Sequence, residues 1–373
     1  MISRRYLRTK TMQALYAYSM KPNADVLTSQ NELIKTIKNC HVLFLWLFSI
    51  LPEVTFYRKN KLEDLRNKHN PTEEDLNPNT KFVDNKVIEQ IEDNVTLQKL
   101  LPQHHIDWSN DGDFIPRLFH ILEETDFYQA YMSKPSRSYE EDKKFVLDII
   151  ENILATDDHI RWYFSEKETN WLDDYDEALL MLYKNITKFK MKNGNENKIF
   201  PLYNDAGEDE KFVKDLFKKT IQNDAEYEEM IEAKLQNWEL ERVIGMDILL
   251  MKMAICEFLE CPTIPLKVTM NEYIELAKLY SSDKSPKFIN GILDRLIVDF
   301  KEQGKIVKTG IGLYQNYHEK NNIHIGDYRI SSLGRMPSQA RAGRGFQSFG
   351  CAYSRFRGRY VTKRKRQTSC DRV

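Results

Sequence analysis

The chain has 373 residues and nearly balanced charge, 55 Lys+Arg against 56 Asp+Glu. That length suffices for one to three domains whose cores need no disulfide or metal staple. With 30% charged and 41% apolar residues, the composition argues against both a wholly disordered chain and a membrane-embedded one. Glycine (14) and proline (12) are scarce beside a usual combined share of roughly 12%, which predicts a helical chain.

The net charge of −1 averages very unlike pieces. Residues 1–21 carry +5, from Arg4, Arg5, Arg8, Lys10 and Lys21 with no acid. Residues 317–373 carry +10, and the stretch between carries −16. Basic ends on an acidic body point to an anionic partner for the ends. The five cysteines, Cys40, Cys256, Cys261, Cys351 and Cys370, are odd in number and uneven in spacing. Cys40 and Cys256 sit in apolar runs and read as reduced core residues, which fits a reducing, cytoplasmic setting. The longest apolar run, Val42–Leu51, is short for a bilayer span and reads as a buried helix. Thr11–Lys21 is too polar for the core of a signal peptide. No membrane association is expected.

In chain order, residues 2–20 form an amphipathic helix with Leu7, Thr11, Ala14, Leu15 and Tyr18 on one stripe. Arg4 borders that stripe; Arg5 and Arg8 fall on the adjoining flank. Pro22 and Asn23 end the helix. A second helix over about 30–61 is expected to kink near Pro52. Residues 66–82 read as a polar loop, followed by helices at 84–100, 116–131, 139–164 and 174–191. After a polar stretch at 192–209 come amphipathic helices at 209–223 and 225–236. Residues 239–260 are apolar almost all round between Val243 and Leu259, as suits the central helix of a bundle. Helices at 269–280 and 286–300 close the pattern. The fold class is all-α.

Several linked segments then resemble one family. RRYLRTKTMQALYAYSM at 4–20 is similar to the arginine-rich first helix of the NusB antitermination factors. W-x3-RV-x2-MD-x8-CE at 238–257, IPLKVTMNEYIELAK at 264–278 and SPKFINGILD at 285–294 resemble that family's C-terminal helices, in the same order. The resemblance covers about residues 1–20 and 210–303. It divides the chain into a first helix (1–21), an enlarged acidic helical region (22–208), a C-terminal helical bundle (209–305) and a basic tail (306–373).

The resemblance implies a compact NusB-like bundle with an enlarged helical region and no catalytic activity. It also implies binding to boxA-like single-stranded RNA together with the small-subunit ribosomal protein NusE, on an RNA polymerase elongation complex. The candidate RNA-binding residues are Arg4, Arg5, Arg8 and Lys10, whose guanidinium and ammonium groups suit phosphates and unpaired bases. They are joined by Lys284, Lys287, Phe288 and Asn290 at the head of the last helix, where helix N–H groups also favour phosphate. Arg5 and Arg8 are preferred over Arg4, which lies nearer the buried stripe. Phe288 is either a stacking face or core, and Asn290-Gly291 is expected to serve close helix packing, with RNA contact open to Asn290 as well. Asp247, Glu257, Glu272 and Glu275 are candidates for contact with a basic protein partner.

Catalytic and metal patterns are absent from the sequence: there is no phosphate-binding glycine loop, H-E-x-x-H, G-x-S-x-G or Cys-x2-Cys pair. The spacing of His104, His105, Asp107 and His120 fits no standard metal site. No cofactor is expected. The tail at 331–366 mixes Ser, Gly and Arg with aromatics and reads as disordered, either an RNA-binding arm or an unselected extension.

Overall fold

The structure, a computed structural model, describes residues 1–235 and 242–309. Among these residues every regular element is a helix, as the all-α expectation requires. The expected tail therefore lies outside the described residues from 310 onward, as does Trp238 of the family motif. The chain clusters into two units. One comprises residues 1–7 and 31–210, and the other comprises 8–30 with the described residues from 211 onward.

Three helices supply residues to both: α1 (Arg4–Met20), α2 (Val26–Arg66) and α11 (Ala206–Gln222). The rest of the first unit is built from α3 (Glu73–Leu76), α4 (Lys86–Glu92), α5 (Val95–Gln103), α6 (Phe114–Glu123) and α7 (Asp126–Ser133). It continues with α8 (Tyr139–Ile149), a π turn at Ile150–Leu154, α9 (Asp158–Lys167), α10 (Trp171–Thr187) and a 3-10 turn at Met191–Glu196. The second unit adds α12 (Asp224–Glu232), α13 (Gly245–Glu260), α14 (Leu266–Tyr280) and α15 (Ser285–Glu302).

The core of the first unit is organised by α2. Leu43–Leu51 are all buried, and their rings meet others at edge-to-face angles, Phe44 with Phe48 at 5.1 Å and Trp46 with Trp108 at 4.8 Å. α2 is long and apolar enough to cross a membrane, but 67% of its most apolar 18 residues are buried within the fold, as in the core helix of a globular domain. It is one helix with Pro52 inside it. Pro52, where a kink is expected, leaves the Phe48 carbonyl without its usual N–H partner.

Three helices expected as single elements are each divided by a capping side chain. Asn94 accepts the N–H groups of Thr96 and Leu97, both at 3.1 Å, and so starts α5. Thr125 caps α7 through Tyr128 N–H, and Asp157 caps α9 through His159 N–H. In each case the side chain satisfies a donor that the helix end leaves open.

In the second unit α13 packs against α12, α14 and α15. Leu250 through Phe258 are buried without interruption, so this helix is the central one, as its all-round apolar pattern predicts. Its one buried lysine, Lys252, reaches Asp224 and Glu228 of α12 at 2.7 and 2.5 Å. Cys40 and Cys256 are buried, matching the core reading; burial pushes the Cys256 thiol up to about 12.

Candidate nucleic-acid interface

The two basic clusters are built differently. At the head of α1, Ser3 accepts the N–H of Tyr6 at 3.1 Å and starts the helix. Backbone bonds from Ile2 N–H to Leu202 O (3.0 Å) and from Ser3 N–H to Glu177 Oε1 (2.8 Å) anchor this end within the first unit. Arg4 is half-buried, and its Nε donates to Asp209 Oδ1 at 2.9 Å. Asp209 is itself buried and also accepts the N–H groups of Asn204 and Asp205. Arg4 is thus committed to closing the loop before α11. Arg5, beside it, is exposed.

One turn further, within the second unit, Arg8 lies inside the bundle, 2% exposed. Its Nε and a terminal nitrogen hold both oxygens of Glu257 at 2.8 and 2.7 Å, a bidentate pair. Glu257 is fully buried; it also accepts the hydroxyls of Thr269 (2.6 Å) and Tyr273 (3.2 Å). Glu272 approaches Arg8 at 3.7 Å. The guanidinium also lies over the Phe212 ring at 5.4 Å. Burial opposes the charge on Arg8, but the Glu257 carboxylate outweighs it and holds the guanidinium protonated beyond its ordinary range.

This arrangement corrects two sequence expectations together. Arg8, expected at an RNA surface, and Glu257, expected at a protein surface, are partners in one buried network. A signal for this was present, because Arg8 lies four and seven residues before Met12 and Leu15, both buried. Lys10 is buried as well, which removes it from a solvent-facing role.

The head of α15 carries the second cluster. Asp247, in the first turn of α13, is 3% exposed and accepts the hydroxyls of Ser281 and Ser285 (2.8 Å for Ser285). The Ser285 hydroxyl also lies 3.0 Å from that of Ser281 and 2.8 Å from that of Ser282. Asp247 therefore anchors this loop from inside and is not a surface contact for a partner protein. With the loop fixed, Lys284 and Lys287 are exposed. Ser285 N–H is already bonded to Ser282 O at 3.0 Å, and Pro286 has no N–H. The helix head accordingly offers ammonium charge more than the free N–H groups expected of it.

Phe288 is half-buried and stands apart from the buried row Ile289, Ile292, Leu293, Leu296, Ile297 and Phe300. Asn290 donates to Asp294 Oδ2 at 2.9 Å along its own helix. A Cβ added at Gly291 would meet open space, so the pair does not serve close packing as expected. Glu275 is half-exposed and pairs with Lys278 at 2.5 Å, while Glu272 is partly covered beside Arg8. Among the described residues no three His, Cys, Asp or Glu side chains gather as a metal site.

Against known proteins, the NusB family pattern matches residues 176–298, from within α10 to within α15. A transcription antitermination protein NusB of Bacillus pumilus is 36% identical over 99 residues, which are 26% of this chain and 76% of that relative. The chain belongs to the NusB family. The namesake of Salinibacter ruber is 40% identical over 102 residues (27% of this chain) and that of Chloroherpeton thalassium 43% identical over 112 residues (30%). Of those two NusB relatives the chain covers only 64% and 53%. No solved structure matches the chain. The family match begins earlier than the expected residue 210, so α10 and the polar stretch after it belong to the matched region.

Proposed function

We propose that this NusB-family chain is a non-catalytic RNA-binding transcription antitermination factor. In this reading it acts with the small-subunit ribosomal protein NusE on boxA-like single-stranded RNA during transcription of ribosomal RNA by RNA polymerase. The observation that carries the reading is the family match, which spans the loop presenting Lys284 and Lys287. Two relatives with 36% and 40% identity bear the name transcription antitermination protein. Arg5 at the head of α1 is the exposed arginine of the first cluster. Arg5, Lys284 and Lys287 supply phosphate contacts, and half-buried Phe288 and Asn290 lie beside the lysines in the chain. Glu272 and Glu275 of α14 are the acids that remain for a basic protein partner.

The test is fluorescence anisotropy with boxA-like RNA, with and without NusE, across a salt series. Each phosphate contact on a single strand contributes about 0.7 to the slope of log K against log salt. Replacing Lys284 and Lys287 by Ala should weaken binding and flatten the slope by about 1.4, and Arg5→Ala by about half as much. Wild-type affinity and slope in the triple variant would overturn the assignment.

A further inference from the structure

The first unit holds a surface groove of about 460 Å³ between the loop preceding α6 and helix α9. It lies outside the family match, at residues 110–166. We propose that this groove docks a basic, arginine-bearing segment of a protein partner. Trp162, on its wall, is 59% exposed, an uncommon position for so large an apolar side chain. Behind it the lining is aromatic. Phe114 stacks on Tyr163 at 4.0 Å and on Trp108 at 5.4 Å, and Trp108 Nε1 donates to Ser49 Oγ at 2.9 Å.

Charge selects the occupant. Asp113, Asp157 and Glu166 line the groove against Arg117, with His159 beside them; Asp111 is already paired with Lys167 at 2.8 Å. The acidic excess repels a phosphate backbone and attracts a cationic chain. The same aromatic stack already holds one cation from within the fold. Lys167 Nζ lies 4.7 Å from the centre of the Trp46 ring and 4.9 Å from that of Tyr163. A guanidinium suits such a surface because it stacks flat on a ring while its N–H fork pairs with a carboxylate. Trp162 provides the ring, and Asp113 and Glu166 provide the carboxylates.

The experiment uses the full chain and fluorescein-labelled nona-arginine, read by anisotropy, with nona-glutamate as the control peptide. Saturable binding of nona-arginine alone is expected. Trp162→Ala should weaken it about tenfold, as loss of one desolvated cation–π contact would, and Trp162→Phe should recover part of that loss. Asp113→Lys with Glu166→Lys should weaken it further. The same charge reversal at exposed Glu73 and Glu74 should have a much smaller effect. Far-ultraviolet circular dichroism and urea midpoints verify that each variant is folded. The proposal is overturned if nona-arginine does not bind, or if Trp162→Ala binds as wild type. It is also overturned if the Glu73/Glu74 reversal matches that of the groove, or if single-stranded RNA displaces the peptide and quenches Trp162.

Discussion

Arg8 and Glu257 are 249 positions apart in sequence and form a buried bidentate ion pair. Removing one member strands the other in a low-dielectric site, which costs about 3–5 kcal/mol. Arg8→Ala and Glu257→Ala should each lower the unfolding free energy by that amount in urea titrations. The double variant should lose much less than the sum. A loss below about 1 kcal/mol for Arg8→Ala, the range of exposed pairs, would place its guanidinium in water and return it to the RNA surface. Burial likewise holds the His41 imidazole below its usual value, while its Nε2–H donates to Phe200 O at 3.0 Å. The unfolded chain takes up this proton near pH 6.5 and the folded chain resists it. The stability gained is therefore complete above about pH 6.5 and is lost as pH falls toward the lowered folded value. Urea midpoints measured from pH 7.5 to 5.5 should fall less steeply for His41→Gln than for wild type; equal slopes would mean that His41 titrates normally in the fold.

At the scale of elements, the type and order of the longer helices were legible because apolar residues recur at helical spacing, whereas the four-residue α3, inside the stretch read as a polar loop, was not. Boundaries were less so. The expected single helices at 84–100, 116–131 and 139–164 are divided where Asn94, Thr125 and Asp157 cap a new start. Such side chains are visible in sequence, but whether one ends a helix depends on what its other atoms find. Asn94 is fully buried, and its Nδ2 donates to Asn197 O at 2.8 Å while its oxygen caps α5. Asn94→Ala removes a cap and leaves that carbonyl unsatisfied, a cost of about 2–4 kcal/mol. Ser138→Ala at the exposed cap of α8 should cost about 1 kcal/mol. Thermal melts of the two variants test this order, and equal shifts would show that the Asn197 bond contributes nothing.

For the whole molecule, the charge division from +5 through −16 to +10 along the sequence points to an RNA surface at the ends, and at the first end Arg8 and Lys10 are buried. The head of α1 is tied to residues 177 and 202, so excising 31–205 would strip partners from Ile2, Ser3 and Tyr6. Two buried apolar side chains exposed in this way forfeit roughly 1.5–3 kcal/mol each. Such a shortened chain should unfold at a lower urea concentration than the full one, and an unchanged midpoint would show that this end folds with the second unit alone. The sequence by itself determined the all-α class, the central place of α13 and the family, because these follow from local periodicity and from linked motifs. Only the tertiary structure decided which charges face water. Arg8, Lys10, Asp247 and Glu257 read locally as surface groups, and each is buried. For Arg8, Asp247 and Glu257 the hydrogen-bonding partners lie on helices or loops distant in sequence. A window of one helix cannot show a partner that folding brings from elsewhere in the chain.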